Sequence, residues 1–297
     1  MAEQIPLSDD ALAPLLDEAG DDGTHEVAPD LAFRRLGIVN VAFFGPAGAG
    51  DRGWVLIDAG LVGTAPFIRA AARQRFGEGS RPAAIVMTHG HFDHVGALER
   101  LAEEWDAPVY AHPLERPYLD GTAAYPPGDP SVGGGLMARL SALYPTRPVD
   151  VSARLLDLPA DGTVPFMPGW ASVHTPGHSV GHVALWRESD RLLLSGDAVV
   201  STRQESAYAA LTQDPEMHGP PQYFTVDWEA GEASVGALAA LEPETVVTMH
   251  GRPLAGPEAR DALHRLAREF RTLAVPERGL YVDRPRRAED GSAYEAP

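Results

Sequence analysis

The stretch "THGHFDH", residues 88–94, constrains this chain more than any other feature. It places three histidines and one aspartate within seven residues, directly after the apolar run "AAIVM". A short apolar run of this kind is typical of a buried strand, so these polar side chains would lie together at a strand end. Buried imidazoles and carboxylates cost stability unless they are paired or coordinate a metal. The stretch therefore predicts a strand that ends in a ligand-binding site.

Three further candidate ligands also follow runs that predict strands. His178 stands in the Gly- and Pro-containing loop "TPGHSVGH", Asp197 follows "RLLLSG", and His250 follows "TVVTM". Because these strand ends could meet at one edge of the core, we expect the three side chains to converge on the first stretch. The chain has no cysteine, so nitrogen and oxygen must hold any metal. That donor set suits zinc, iron or manganese.

Strand and helix patterns alternate over most of the chain. Two successive sets of predicted strands, each followed by helices, favour one α/β domain with four layers, in which two sheets lie between helices. This domain covers residues 31–275, with Pro- and Gly-rich insertions near 113–149 and 199–225. Residues 1–30 are predicted to form an N-terminal arm, and residues 276–297 a polar C-terminal tail.

The charge balance limits the partners of this protein. Its 297 residues include 42 acidic and 24 basic ones, all of the latter arginine, for a formal charge of −18. Such a surface repels phosphate backbones, so we expect a small-molecule substrate and no nucleic acid. No apolar run approaches the roughly 18–20 residues of a membrane span, and the acidic N-terminus lacks a secretion signal, so we expect a cytoplasmic protein without a membrane partner. An apolar face at residues 9–19 of the arm could pair subunits into a homodimer.

These motifs together resemble those of the metallo-β-lactamase superfamily. The segments "THGHFDH", "TPGHSVGH", "SGD" and "MHG" occur in that family's order. The resemblance runs from about Ile38 to Arg271. It implies a four-layer αββα sandwich with the metal site at one edge of the two sheets.

The resemblance also implies a ligand set for two adjacent divalent metal ions, zinc first, with iron or manganese as alternatives. One ion would be held by His89, His91 and His178. The other would be held by Asp93, His94 and His250. Asp197 would bridge the two ions, together with a water or hydroxide. Three more residues are expected to hold these ligands in position: Asp58, Thr88 and His182.

The activity that the resemblance implies is hydrolysis by the bridging hydroxide, with Asp93 orienting it and then delivering a proton to the leaving group. The substrate stays open among lactones, esters and related acyl or phosphoester small molecules, with lactonase-like enzymes as the nearest branch. A glyoxalase II-like thioesterase is one alternative, although it would have to bind glutathione carboxylates without lysine. A metal-binding protein without turnover is the second alternative. Four residues of the second insertion are candidates for substrate contact: Tyr208, His218, Tyr223 and Phe224.

Overall fold

The computed structural model describes residues 5–15 and 23–297. The strands of this part are β1 (Ile5–Pro6), β2 (Thr24–Ala28), β3 (Leu31–Leu36), β4 (Val39–Phe44), β5 (Val55–Ile57), β6 (Ala84–Val86), β7 (Val109–Ala111), β8 (Leu155–Asp157), β9 (Trp170–His174), β10 (Val183–Arg187), β11 (Leu192–Gly196), β12 (Glu216–Met217), β13 (Thr245–Thr248) and β14 (Leu254–Ala255).

The α-helices of the same part are α1 (Ala65–Phe76), α2 (Phe92–Val95), α3 (Leu98–Trp105), α4 (Arg116–Leu119), α5 (Leu136–Leu140), α6 (Ala207–Thr212), α7 (Trp228–Ala240), α8 (Gly256–Arg268) and α9 (Phe270–Leu273). Short 3₁₀ helices are formed at Asp9–Ala11, Pro113–Glu115, Ser141–Leu143 and Gln222–Phe224. None of the helices in residues 5–15 and 23–297 is long and apolar enough to cross a membrane.

The first half of the chain forms a seven-stranded sheet in the order β2-β3-β4-β5-β6-β7-β8. Strands β2 to β5 pair antiparallel, and β5 to β8 run parallel. Helices α1 and α3 lie on the connections between parallel strands, as such crossovers require. The sheet includes β2, so Thr24–Ala28, which we assigned to the arm from the sequence, belong to the domain. The reason is a tight turn at residues 29–30 that pairs β2 with β3.

The second half forms a five-stranded sheet in the order β14-β13-β11-β10-β9. Strands β9, β10 and β11 form an antiparallel meander, whereas β11 and β13 are parallel neighbours joined through α7. Parallel strands end at the same edge of a sheet. The residues that follow β11 and β13 therefore come out side by side, at the edge that faces the end of β6.

Three apolar cores fill the spaces between four layers. In β4, Phe43 packs toward α1 and α3, whereas its neighbour Phe44 packs between the two sheets. In β11, Leu194 faces the first sheet and Leu193 faces α7 and α8. This division follows from the alternation of side chains along a strand. The order helix, sheet, sheet, helix is the αββα sandwich expected from the sequence.

Both terminal segments contact the domain. Strand β1 pairs with β12 in the second insertion. The apolar face of the arm, residues 9–19, is described only to residue 15, and the rest of it lies outside the described residues. Residues 276–297 form neither helix nor strand, yet Tyr281 and Ala293 are buried. The Tyr118 hydroxyl donates to the Ala293 carbonyl at 2.8 Å, so this C-terminal segment holds the first insertion.

Candidate metal centre

The loop between β6 and α2 supplies four side chains to one buried cluster. His89 and His91 stand in the extended part of the loop, and Asp93 and His94 follow in the first turn of α2. All four are buried. Alternate residues of an extended segment share a face, and the rings of His89 and His91 have centroids 4.7 Å apart. One short loop thus directs four donors to one place.

The second sheet supplies three more donors to the same cluster. His178 lies on the loop between β9 and β10, Asp197 directly follows β11, and His250 follows β13. All three side chains are buried. Because β11 and β13 are parallel, Asp197 and His250 emerge at one edge of their sheet. The structure therefore brings together all seven ligand candidates of the sequence analysis.

The seven donors fall into overlapping groups of three. In each group, one donor atom per residue lies within 4.8 Å of the others. The groups are His89, His91 and His178; Asp93, His94 and His250; and His89, His94 and Asp197. The first two are the ligand sets that the family resemblance implies for the two ions. In the first set, His91 Nδ1 lies 2.9 Å from His178 Nε2.

Asp197 lies between the first two groups. Its Oδ2 is 3.4 Å from Nε2 of His178 in one group. The same oxygen is 3.6 Å from Nε2 of His94 and 3.1 Å from Nε2 of His250 in the other. One carboxylate is thus close enough to both groups to be shared between them.

The cluster fits divalent metal ions. Nε2 of His89, Nε2 of His94 and Oδ1 of Asp197 are buried without a hydrogen-bond partner, which is costly unless something else binds these atoms. Bonds of about 2.0–2.1 Å in a tetrahedral zinc site place two donor atoms about 3.4 Å apart. The 3.1–3.6 Å spacings around Asp197 Oδ2 agree with that value. The seven side chains are therefore suited to hold metal with nitrogen and oxygen.

Asp58 holds His94 and Thr88 in position. Its Oδ2 accepts from His94 Nδ1 at 2.8 Å and from the Thr88 hydroxyl at 2.7 Å, and its Oδ1 accepts from the Thr88 N–H at 2.8 Å. A proton on Nδ1 leaves a lone pair on Nε2 of His94, the usual arrangement for a metal-binding imidazole. Asp58 has a φ of 58°, a strained backbone conformation that residues other than glycine rarely adopt. The carboxylate is thus directed at the cluster despite that strain.

Hydrogen bonds also orient two more ligands, Asp197 and His250. His182 Nε2 accepts from the Asp197 N–H at 2.8 Å, so its Nδ1 carries the proton and donates to the Thr175 hydroxyl at 2.8 Å. His250 Nδ1 donates to the Ile38 carbonyl at 2.7 Å, which leaves Nε2 of His250 directed at Asp197. His182 is therefore held as a single tautomer, and His250 is held with Nε2 toward Asp197.

Burial and nearby charges set the protonation of the cluster. Burial lowers the pKa of His89 and His91 well below the usual range, and that of His178 to about 4. Burial also opposes the charged form of His94, but nearby carboxylates, Asp197 first, outweigh it and raise its pKa. Burial would raise the pKa of Asp197, but nearby imidazoles hold it well below the usual range. Three imidazoles are thus neutral at pH 7 and can bind metal, beside an ionised carboxylate.

Sequence reasoning missed Glu115, which is fully buried beside the cluster. Its carboxylate accepts from the N–H groups of Gly90 and Gly181 at 3.0 and 2.8 Å. It also accepts from the Ser179 hydroxyl at 2.7 Å and from the Tyr125 hydroxyl. A glutamate within a proline-rich insertion usually faces solvent, so the sequence carries no signal of this burial.

An aromatic wall borders the cluster: Phe92, Tyr144, Tyr223 and Phe224. The Phe224 ring stacks on His91 with centroids 4.6 Å apart, and the other three rings pack around Phe224. Burial, and next the charge of Asp93, raise the pKa of Tyr144 and Tyr223. Tyr223 and Phe224 are among the residues that the sequence predicts at the substrate.

Two residues expected at the substrate make no contact with the seven donors in the described part of the chain. Tyr208 is on α6 with 72% of its surface exposed. His218 is buried within the second insertion, where Nδ1 donates to the Gly219 carbonyl at 2.8 Å and Nε2 lies 3.9 Å from Glu205. Within the described part of the chain, no hydrogen bond or ring contact joins either residue to the seven donors. The turn of α6 points Tyr208 outward, and pairing of His218 with Val200 turns its side chain into the insertion.

Comparisons with known proteins agree with this geometry. A family model described as "Metallo-beta-lactamase superfamily" matches residues 34–250. The "Probable metallo-hydrolase YflN" of Bacillus subtilis (strain 168) is 47% identical over 220 residues, which are 74% of this chain and 83% of that protein. A "Hydroxyacylglutathione hydrolase" of Bdellovibrio bacteriovorus is 25% identical over 165 residues, which are 56% of this chain and 47% of that protein.

Solved structures share the fold. A beta-lactamase domain protein from Burkholderia ambifaria superposes with a TM-score of 0.61 at 22% identity, over 90% of this chain and 78% of that one. A B3 metallo-beta-lactamase with an active-site glutamic acid superposes with a TM-score of 0.57 at 20% identity, over 90% of this chain and 95% of that one. At such identities the likeness concerns the fold alone, and it confirms the predicted four layers.

Proposed function

The chain belongs to the metallo-β-lactamase superfamily, and from this membership we propose that it is a dinuclear metal-dependent hydrolase of an uncharged lactone or ester. The observation that carries the proposal is the position of Asp197. Its Oδ2 lies within 3.1–3.6 Å of imidazole nitrogens from both donor groups. A shared carboxylate of this kind is what two adjacent cations require to offset their repulsion.

Hydrolysis needs an activated water and a route for its proton. Two divalent ions bound together would lower the pKa of a shared water and polarise the substrate oxygen. Asp93 belongs to the donor group of His94 and His250, with Oδ2 3.5 Å from His250 Nε2. Its carboxylate can orient the attacking water, take up its proton and return it to the leaving oxygen. The chain has neither cysteine nor lysine, so those two nucleophiles are not available for a covalent route.

The surroundings of the centre favour an uncharged substrate. The aromatic wall offers ring faces and two tyrosine hydroxyls and carries no charge of its own. Of the four arginines in the two insertions, Arg116 pairs with Asp157 at 2.5 Å, Arg203 donates to the Gly133 carbonyl at 2.6 Å, and Arg139 and Arg147 are exposed to solvent. A substrate with several anionic groups would need free cations. A lactone or simple ester needs none.

A glyoxalase II-like thioesterase is the second candidate. It is favoured by the likeness to the hydroxyacylglutathione hydrolase of Bdellovibrio bacteriovorus, of which this chain spans about half the length. Such an enzyme would bind the glutathione carboxylates, so its rate should fall with added salt. Hydrolysis of an uncharged lactone should depend little on salt.

The test is metal analysis followed by a substrate panel on one preparation. Metal-free protein and protein reloaded with zinc, manganese or iron are assayed on lactones, aryl esters, a glutathione thioester and phosphoesters. We expect about two ions per chain and the highest kcat/KM on a lactone or ester. If the glutathione thioester is turned over fastest, the second candidate is favoured. If a phosphoester is turned over fastest, the substrate belongs to a third class. Bound metal without turnover of any class would favour a binding protein instead.

A further inference from the structure

We propose that Glu115 is a positioning residue that sets the spacing between the loop of His91 and the loop of His178. These two histidines belong to the same donor group, and they come from different sheets. The inference rests on the proposed metal centre, because its effect is on how that group holds an ion.

The first observation is that one carboxylate joins the two loops. The donor on the first loop is the N–H of Gly90, the residue between His89 and His91. The donors on the second loop are Ser179 and Gly181, within three residues of His178. Glu115 is fully buried, and these partners are neutral donors. A buried carboxylate held by several such bonds is fixed in place, because leaving any donor or oxygen unpaired would be costly.

The second observation is steric. A Cβ added to Gly90 would lie 2.9 Å from the Tyr125 hydroxyl oxygen, and one added to Gly181 would lie 2.7 Å from the Glu115 nitrogen. Real Cβ atoms do not approach so closely, so the first loop comes near Tyr125, and the second near Glu115, only because glycine stands at both positions. The two backbones thus pack closely against the hydrogen-bonded pair of Glu115 and Tyr125.

Tyr125 extends the same arrangement to a ligand ring. Its hydroxyl donates to Glu115 and accepts from the Gly90 N–H at 2.8 Å, while its ring lies 4.3 Å from the ring of His91. The carboxylate and the tyrosine therefore fix the backbone position of the first loop at Gly90 and the orientation of the His91 ring. His91 Nδ1 consequently lies 2.9 Å from His178 Nε2.

The other donor group is held by different contacts. His94 is oriented by Asp58, and His250 by the Ile38 carbonyl. Loss of the Glu115 carboxylate should therefore weaken binding of the ion held by His89, His91 and His178. Binding of the other ion should be largely unaffected. General loosening of the fold would weaken both.

Glu115→Gln tests this prediction, because the amide keeps the shape but places an N–H₂ group against existing donors. Metal-free protein is titrated with Co²⁺, whose visible spectrum reports each ion, and with Zn²⁺. We expect the ion of His89, His91 and His178 to bind about 10–100-fold more weakly. The affinity for the other ion should change less than about twofold. Hydrogen exchange at Gly90 and Gly181 should become faster in the metal-free variant. Glu103→Gln, on the exposed face of α3, is the matched control and should change neither ion.

Asp58→Asn supplies the reciprocal comparison. It should weaken binding of the ion of Asp93, His94 and His250 more than binding of the other ion, because Asp58 contacts His94 directly and His89 only through the Thr88 hydroxyl. If Glu115→Gln does not fold, Tyr125→Phe removes one donor with less disturbance, and we expect a smaller loss at the same ion. Equal weakening of both ions, or unchanged affinities in a folded variant, would overturn the proposal. Wild-type protein that binds metal but turns over no substrate would contradict the proposed function and leave this result standing.

Discussion

Nε2 of His182 accepts a hydrogen bond from the backbone N–H of Asp197 at 2.8 Å. His182 contributes to none of the donor groups, yet it fixes the start of the segment that carries the shared carboxylate. Gly196, with a φ of 55°, precedes Asp197, and a Cβ added there would clash with the His182 ring. The tight turn after β11 and the histidine behind it therefore form one unit that orients Asp197.

His182→Ala should weaken the binding of both ions together, because Asp197 lies close to both donor groups. We expect a loss of metal affinity of about 10–100-fold, with a folded protein as judged by circular dichroism. The measurement is a Zn²⁺ titration of metal-free protein. Loss of only one ion would contradict the position of Asp197 between the groups.

Asp197→Asn should be more severe than His182→Ala, because it removes the anionic charge itself. The amide keeps the size of the side chain, but two cations would then face each other without a shared carboxylate. We expect kcat/KM to fall by at least about a hundredfold and metal content to fall well below two per chain. Elemental analysis and kinetics on the best substrate check this. A variant that keeps two ions would show that Asp197 is not needed to hold them.

Phe224→Ala should raise KM for a hydrophobic ester and leave the metal content unchanged. The ring lies against His91, and its loss removes about 1–2 kcal/mol of apolar contact, a factor of about 5–30 in affinity. Tyr208→Ala is the matched control, since Tyr208 is exposed and outside the aromatic wall. Identical kinetics for both variants across short and long acyl chains would refute substrate contact by Phe224.

His112→Phe should reduce the acid sensitivity of the fold. Burial, and next the charge of the stacked His174, lower the pKa of His112 to about 4. Its contribution to stability is therefore present above the unfolded pKa of about 6.5 and is lost as the pH falls toward 4. Between these values the Tm of wild-type protein should fall more than that of the variant, in which a ring still stacks on His174. Parallel Tm curves would contradict the lowered pKa.

The donors of the site could be predicted from the sequence because they follow strand patterns directly. "AAIVM", "RLLLSG" and "TVVTM" are local signals, and the residues after them had to lie at sheet edges. The four layers followed from the same alternation. The edge strand β2 was missed because "THEVA" is half polar, and its pairing with β3 is decided by the sheet rather than by its own pattern.

Residues that act through distant contacts could not be predicted in this way. Glu115 contacts Gly181 across 66 positions, and the Gln204 amide nitrogen lies 2.5 Å from Nδ1 of His250 across 46 positions. His218 is expected at the substrate because it lies in the second insertion, but its backbone pairs with Val200 and its side chain makes no contact with the donors among the described residues.

Each donor group takes ligands from both sheets: His91 with His178, and His94 with His250. In a chain without cysteine, a bound ion would therefore be the cross-link between the two halves of the sandwich. Ligation of that kind stabilises only the folded state, so the free energy of unfolding should rise with the logarithm of free metal concentration. A strong chelator would then act as a denaturant whose first effect is to part the two sheets at the edge where the ions join them.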